Sequence, residues 1–128
     1  MASLIYLDTH VVAWIHASAL ERLSPDALRR LELAEEIRIS PMVRLELQYL
    51  YEIGRVTGPA GPVVDALRAS LGLRVCDIPF PVVARAAEGE TWTRDPFDRI
   101  IVAQAALARA PLLTKDRTLH DHYDRATW

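Results

Sequence analysis

The chain has 128 residues, of which 51% are hydrophobic and 25% charged, with a formal net charge of −2 and one cysteine, Cys76. One domain spanning residues 1–128 with a sizeable core is expected, and an intramolecular disulfide is excluded. So is a global basic field for nucleic acid, which leaves any phosphate-bearing substrate to local Arg and Lys or to bound cations.

Leu4 to Leu7 is a continuous apolar run, which suits a strand buried on both faces, and it ends at Asp8. Helical spacing follows over 9–17 and 25–35, then a second strand signal at Ile37–Ser40 ("IRIS"). A helix is predicted over 41–54, and "GRVTGPAGP", Gly54 to Pro62, is the one obvious loop. Beyond it come a helix over 62–71, a strand over Leu73–Ile78, helices over 80–88 and 96–109, a strand over Leu112–Thr114 and a short helix over 117–122. Strands alternating with helices predict an α/β fold with a mostly parallel sheet covered on both faces. No apolar run approaches the ~18 residues of a membrane span and no signal pattern opens the chain, so a cytoplasmic location is expected.

In such sheets, sites lie outside the carboxyl ends of the strands. Asp8 follows the first strand directly, and Asp116 in "LLTKD" sits just past another. In "SPMVRLELQYLYEIGR", Ser40 can cap a helix and Pro41 can open it, while Arg44, Gln48, Glu52 and Arg55 gather on one polar face. Glu46 falls on the opposite side with Met42, Leu45, Tyr49, Leu50 and Ile53, the side expected to pack inward. An inward carboxylate is costly unless paired, hydrogen-bonded or metal-bound, so a buried ion pair with arginine or an edge position are the competing readings.

"TRDPFDRIIVAQA" adds Asp95 and Asp98 at the mouth of a helix. Asp95 as N-cap, Pro96 at the first helical position and Asp98 in the first turn also satisfy a purely structural reading. Together, Asp8, Glu46, Asp98 and Asp116 are compatible with one carboxylate cluster. Such acids repel one another, so the cluster makes sense chiefly as a site for divalent cations, with all-oxygen donors favouring Mg²⁺ or Mn²⁺ over Zn²⁺. Two such ions about 4 Å apart can activate a water and stabilise the leaving oxygen of a phosphodiester.

"YLDTHVVAW", "RLSPDALRRLE", "SPMVRLELQYLYEIGR", "RDPFDRIIVAQA" and "LLTKDRTL" in this order resemble the PIN-domain ribonucleases, in particular VapC-type toxins of type II toxin–antitoxin systems. The resemblance runs nearly the whole chain. It implies a three-layer α/β/α sandwich, Mg²⁺- or Mn²⁺-dependent cleavage of RNA, homodimerisation and inhibition by a cognate antitoxin. Carried over, Asp8, Glu46 and Asp98 match the three core acids, and Asp116 the more variable fourth. Asp95 matches the aspartate of the family's "DPFDR" variant and is read as a cap or outer-shell residue, as are Thr9 and Thr114. Arg94, Arg99, Lys115 and Arg117 lie beside the proposed site as candidate phosphate contacts.

Other readings fit less well. A phosphoacceptor receiver domain wants adjacent acids after the first strand, and a haloacid-dehalogenase-type phosphatase wants a second aspartate where His10 stands. His120 and His122 read as surface, Trp14, Trp92 and Trp128 as core or dimer packing, and Cys76 as a small buried residue. The rival from another class is a PIN-like module that binds RNA or protein without cutting.

Overall fold

The computed structural model describes residues 3–128. Among these, five short strands, β1 (Leu4–Leu7), β2 (Glu36–Ile39), β3 (Arg74–Val75), β4 (Leu112–Leu113) and β5 (Ala126–Thr127), form one sheet in the order β3-β2-β1-β4-β5. Every neighbouring pair is parallel. The helices are α1 (Thr9–His16), α2 (Pro25–Leu33), α3 (Pro41–Glu52), α4 (Ala60–Leu71), α5 (Phe80–Ala87), α6 (Pro96–Leu107) and α7 (Arg117–His122), with a 3-10 turn at Leu20–Arg22. None of the described helices is long and apolar enough to cross a membrane.

Successive strand residues point to opposite faces. Because Ile5, Tyr6 and Leu7 are all buried, both faces of β1 are covered, which is the α/β/α layering expected. The chain passes from central β1 outward to β2 and β3, then returns to place β4 and β5 on the other side. The reversal falls between β1 and β4, where Leu7 pairs with Leu113 and the Asp8 amide donates to the Leu113 carbonyl at 3.0 Å. A crevice outside the strand ends opens at such a reversal.

Local chemistry explains most helix starts. Ser24, Ser40 and Asp95 accept from the amides of Ala27, Met42 and Phe97 at 3.0, 3.0 and 2.9 Å, and a proline follows each cap. At the other end of α4, Gly72 has φ 66°, the left-handed conformation that glycine adopts without steric cost. Ser40 is thus a helix cap rather than a strand residue. Helix α4 starts two residues before the expected Pro62, because a proline in the first turn has no intrahelical amide bond to lose. The third strand is shorter than Leu73–Ile78, although the Cys76 amide still donates to the Ile39 carbonyl at 2.8 Å.

Two larger differences concern β5 and α3. Strand β5 was not expected; "AT" carries no periodicity, and only its pairing with β4 and the packing of Trp128 edge-on to Trp14 reveal it. On α3 the core side is Val43 and Leu47, whereas Leu45, Tyr49 and Ile53, expected to face inward, are 56%, 48% and 49% exposed. The helix carries two apolar stripes. Glu46 lies half-buried on the border between them.

Candidate active site

Asp8 sits at the carboxyl end of β1 and caps α1. It is 8% exposed, and each of its carboxylate oxygens has a donor: the Thr9 amide to Oδ1 at 2.8 Å and the Thr114 hydroxyl to Oδ2 at 2.7 Å. Both threonines are fully buried, and each reaches a second acid. The Thr9 hydroxyl donates to Glu46 Oε1, and Thr114 Oγ1 accepts from the Asp116 amide at 3.0 Å. Glu46, Thr9, Asp8, Thr114 and Asp116 therefore form one hydrogen-bonded thread across the carboxyl ends of β1 and β4.

Asp98, in the first turn of α6, takes part in none of these bonds, yet it feels all of these acids. Burial, then the charges of Asp95, Asp8, Asp116 and Glu46, push its carboxyl up to about 7. Glu46 is raised by burial and by Asp8 and Asp95, against the Thr9 hydrogen bond and the charge of His10. Burial raises Asp8 as well, opposed by its bonds to Thr114 and Thr9. Among the described residues, no Arg or Lys forms an ion pair with any of these acids, so the buried ion pair considered for Glu46 is not made.

The three predicted core acids and the fourth, Asp116, thus lie near enough for Asp8, Glu46 and Asp116 each to act on Asp98, and Asp95 joins their electrostatics. The donors are hard oxygens with unbalanced negative charge, which suits Mg²⁺ or Mn²⁺ in kind. The arrangement is not a ready-made cage: among the described residues, no three His, Cys, Asp or Glu side chains stand so as to hold a metal ion. Most of the carboxylates are instead turned onto local donors. Asp116, which is exposed, caps α7 by accepting from the Thr118 and Leu119 amides at 2.8 and 3.2 Å.

Asp95 is an exposed N-cap, bonded to the Phe97 amide, while Asp98 carries the perturbed carboxyl. Asparagine caps about as well as aspartate. Asp95→Asn is expected to melt within about 0.5 kcal/mol of the parent and keep most activity, whereas Asp95→Ala loses about 1 kcal/mol of stability. Thermal melts of the two variants check this, and equal losses in both would remove the capping role.

The candidate phosphate contacts divide into two pairs. Arg94 donates to the Thr91 carbonyl at 3.0 Å and Arg99 to the Thr93 carbonyl at 2.8 Å, so both brace the turn that presents Asp95 and Asp98. Lys115 and Arg117 are exposed and make no such bond among the described residues. Two residues escaped the sequence reading. His10, whose charge lowers both Asp8 and Glu46, was visible only as the position two after Asp8. His120 is exposed, as read, but the reading missed that its Nε2 lies 2.7 Å from the Thr114 carbonyl and so buttresses the residue that orients Asp8.

Comparison with known proteins identifies the family of the chain. Residues 5–125 match the PIN domain family. The chain is 35% identical over 120 residues to Ribonuclease VapC22 of Mycobacterium tuberculosis, covering 92% of this chain and 91% of that one. Its fold is similar to that in VapBC2 of Rickettsia felis bound to a DNA fragment from their promoter, with a TM-score of 0.64 at 17% identity over 95% of this chain and 94% of that chain. A toxin–antitoxin complex from Klebsiella pneumoniae gives a TM-score of 0.61 at 17% identity, covering 96% of each chain. With the parallel sheet, the acids at its switch point and the match across nearly its whole length, the chain belongs to the PIN-domain family, in its VapC-type group.

Proposed function

We propose that the chain is a divalent-cation-dependent endoribonuclease and the toxin of a toxin–antitoxin pair. The observation that carries the reading is the convergence of Asp8, Glu46, Asp98 and Asp116 without a balancing cationic side chain, sharp enough to push Asp98 up to about 7. Kinship with a protein named as a ribonuclease supports RNA as the substrate.

In this reading Asp8, Glu46, Asp98 and Asp116 hold Mg²⁺ or Mn²⁺. When bound, the ion would supply charge to offset the phosphate and would ease loss of a proton from the water that attacks phosphorus. The protein's part is orientation: Thr9 and Thr114 fix both oxygens of Asp8, and Thr9 fixes Glu46 from the same buried position. Lys115 and Arg117, free at the rim, meet the phosphates on either side. Single-stranded or looped RNA is the fitting form, since its backbone can enter a crevice that a duplex cannot. No side-chain nucleophile is needed.

Labelled RNA incubated with the protein in Mn²⁺ and in EDTA tests the reading, followed by sequencing of RNA ends after brief expression. Cleavage is expected in Mn²⁺ alone. Undiminished cleavage in EDTA contradicts the cation requirement, and RNA that is bound but never cut in any divalent cation makes the chain a binding module instead.

A cytoplasmic toxin of this kind needs an antitoxin, and two of the structures of similar fold are described as VapBC assemblies, one from Rickettsia felis and one from nontypeable Haemophilus influenzae. We further assign the exposed stripe of Leu45, Tyr49 and Ile53, where Tyr49 pairs with Phe97 at 5.9 Å, to a homodimer contact. Tyr49→Glu is expected to shift sedimentation from dimer to monomer. An unchanged dimer removes the stripe from the interface.

A further inference from the structure

Beside the acid crevice lies a cavity of about 460 Å³, between α1, the Leu20–Arg22 turn and the loop joining α3 to α4. That volume falls within the roughly 300–1,000 Å³ of small-ligand sites. Its walls carry His10, Trp14, His16, Arg22 and Arg55, and Leu47 and Val63 give it an apolar floor. No acidic side chain lines it among the described residues, although the chain is net negative and the adjoining crevice is built of acids.

The aromatic element is held in place. Trp14 is half-buried, meets Trp128 edge-on at 6.0 Å, and has the Arg22 guanidinium carbon 5.7 Å from its ring centroid and the His10 ring at 6.0 Å. Backbone closes another wall: a Cβ on Gly58 would stand 3.2 Å from Val63 Cγ2 and 3.5 Å from His16 Cε1. The cavity lies near the acids, since His10 lines it and the charge of His10 acts on both Asp8 and Glu46.

We propose that this cavity is a nucleotide subsite, which takes one unpaired base of the RNA among Trp14, Arg22 and His10 and the neighbouring phosphate at Arg55. The proposal rests on RNA as the substrate of the acid site and names what selects it. Flat rings stack on aromatic and guanidinium planes, and the arginine fork matches phosphate oxygens bidentately. An apolar peptide would leave Arg22 and Arg55 without partners, and an acidic one would leave the Trp14–Arg22–His10 group without a flat ligand. A base seated here lies beside the cleaved bond, so the cavity sets which nucleotide flanks it.

The test is an NMR titration of the whole protein in EDTA, using the four nucleoside 5′-monophosphates, inorganic phosphate and an acidic peptide as probes. Trp14 is assigned by the indole signal lost in Trp14→Phe. Nucleotides are expected to shift that signal and the Val56–Gly58 amides saturably, with phosphate binding more weakly. Arg22→Ala with Arg55→Ala, both exposed positions, weakens binding roughly tenfold, while Asp98→Asn leaves it unchanged. In Mn²⁺, Arg55→Ala raises KM for RNA with little change in kcat. No nucleotide shift at Trp14 in a protein that still cuts RNA overturns the subsite and spares the ribonuclease reading, as do shifts from the peptide alone. Nucleotide binding at Trp14 in a protein that cuts no RNA supports the subsite and overturns the ribonuclease reading.

Discussion

Asp98→Asn is expected to lower RNA cleavage at least about a hundredfold, the scale seen when a charge-managing group at a reacting centre is lost, and to raise the melting temperature of the metal-free protein at pH 8. The two effects have one cause. In the folded chain the Asp98 carboxyl is pushed up to about 7, by burial and by the neighbouring acids. The unfolded chain releases this proton near pH 4, so between about 4 and 7 the folded state binds more protons than the unfolded one. Metal-free stability therefore falls as pH rises through that window, and above it the cost is fully present. Asparagine carries no charge and escapes the cost. For a half-buried group screened by solvent, the advantage of the variant at pH 8 is about 1–2 kcal/mol, shrinking toward pH 4. Melts in EDTA across this range check the sign, and an Asp98→Asn protein less stable than its parent at pH 8 would show that Asp98 makes a structural bond.

The second large effect is expected from Mn²⁺ itself. A cation that binds the folded crevice far better than the unfolded chain adds about 2.7 kcal/mol at a hundredfold excess over Kd, roughly 10 °C for a domain of this size. Asp8→Asn should lose most of that gain together with cleavage. Its fold should survive, because an amide can still accept from the Thr9 amide through its oxygen and donate to Thr114 Oγ1 through its nitrogen. Without metal it should melt at the parent's temperature or above. A marked loss in EDTA would instead make Asp8 a structural cap and remove the cluster's central member.

Much of this was legible in the residues. Apolar runs ending in Asp8 and "LLTKD" mark β1 and β4 and place two acids at strand ends, because a parallel strand buried on both faces has no alternation to hide its limits. Ser–Pro and Asp–Pro pairs located helix starts to the residue. What the sequence could not show was tertiary. Thr9 and Thr114 as the links between acids depend on β1 and β4 being neighbours, which spacing does not encode. Strand β5 exists only through its pairing. The α3 stripe misled because Leu45, Tyr49 and Ile53 are as apolar as a core face, and only contact with the rest of the chain distinguishes a face that packs within the molecule from one left open. Asp95 was legible as an N-cap from the Asp–Pro pair, and the bond from the Phe97 amide shows it in that role.

The central claim, that separate acids act as one cation site, is tested most directly by calorimetric titration of Mn²⁺ into the parent, Asp8→Asn, Asp98→Asn and Asp95→Asn. Saturable binding to the parent is predicted, weakened at least about tenfold in Asp8→Asn and Asp98→Asn and nearly unchanged in Asp95→Asn. No binding to the parent, or binding equal in all four proteins, would contradict it.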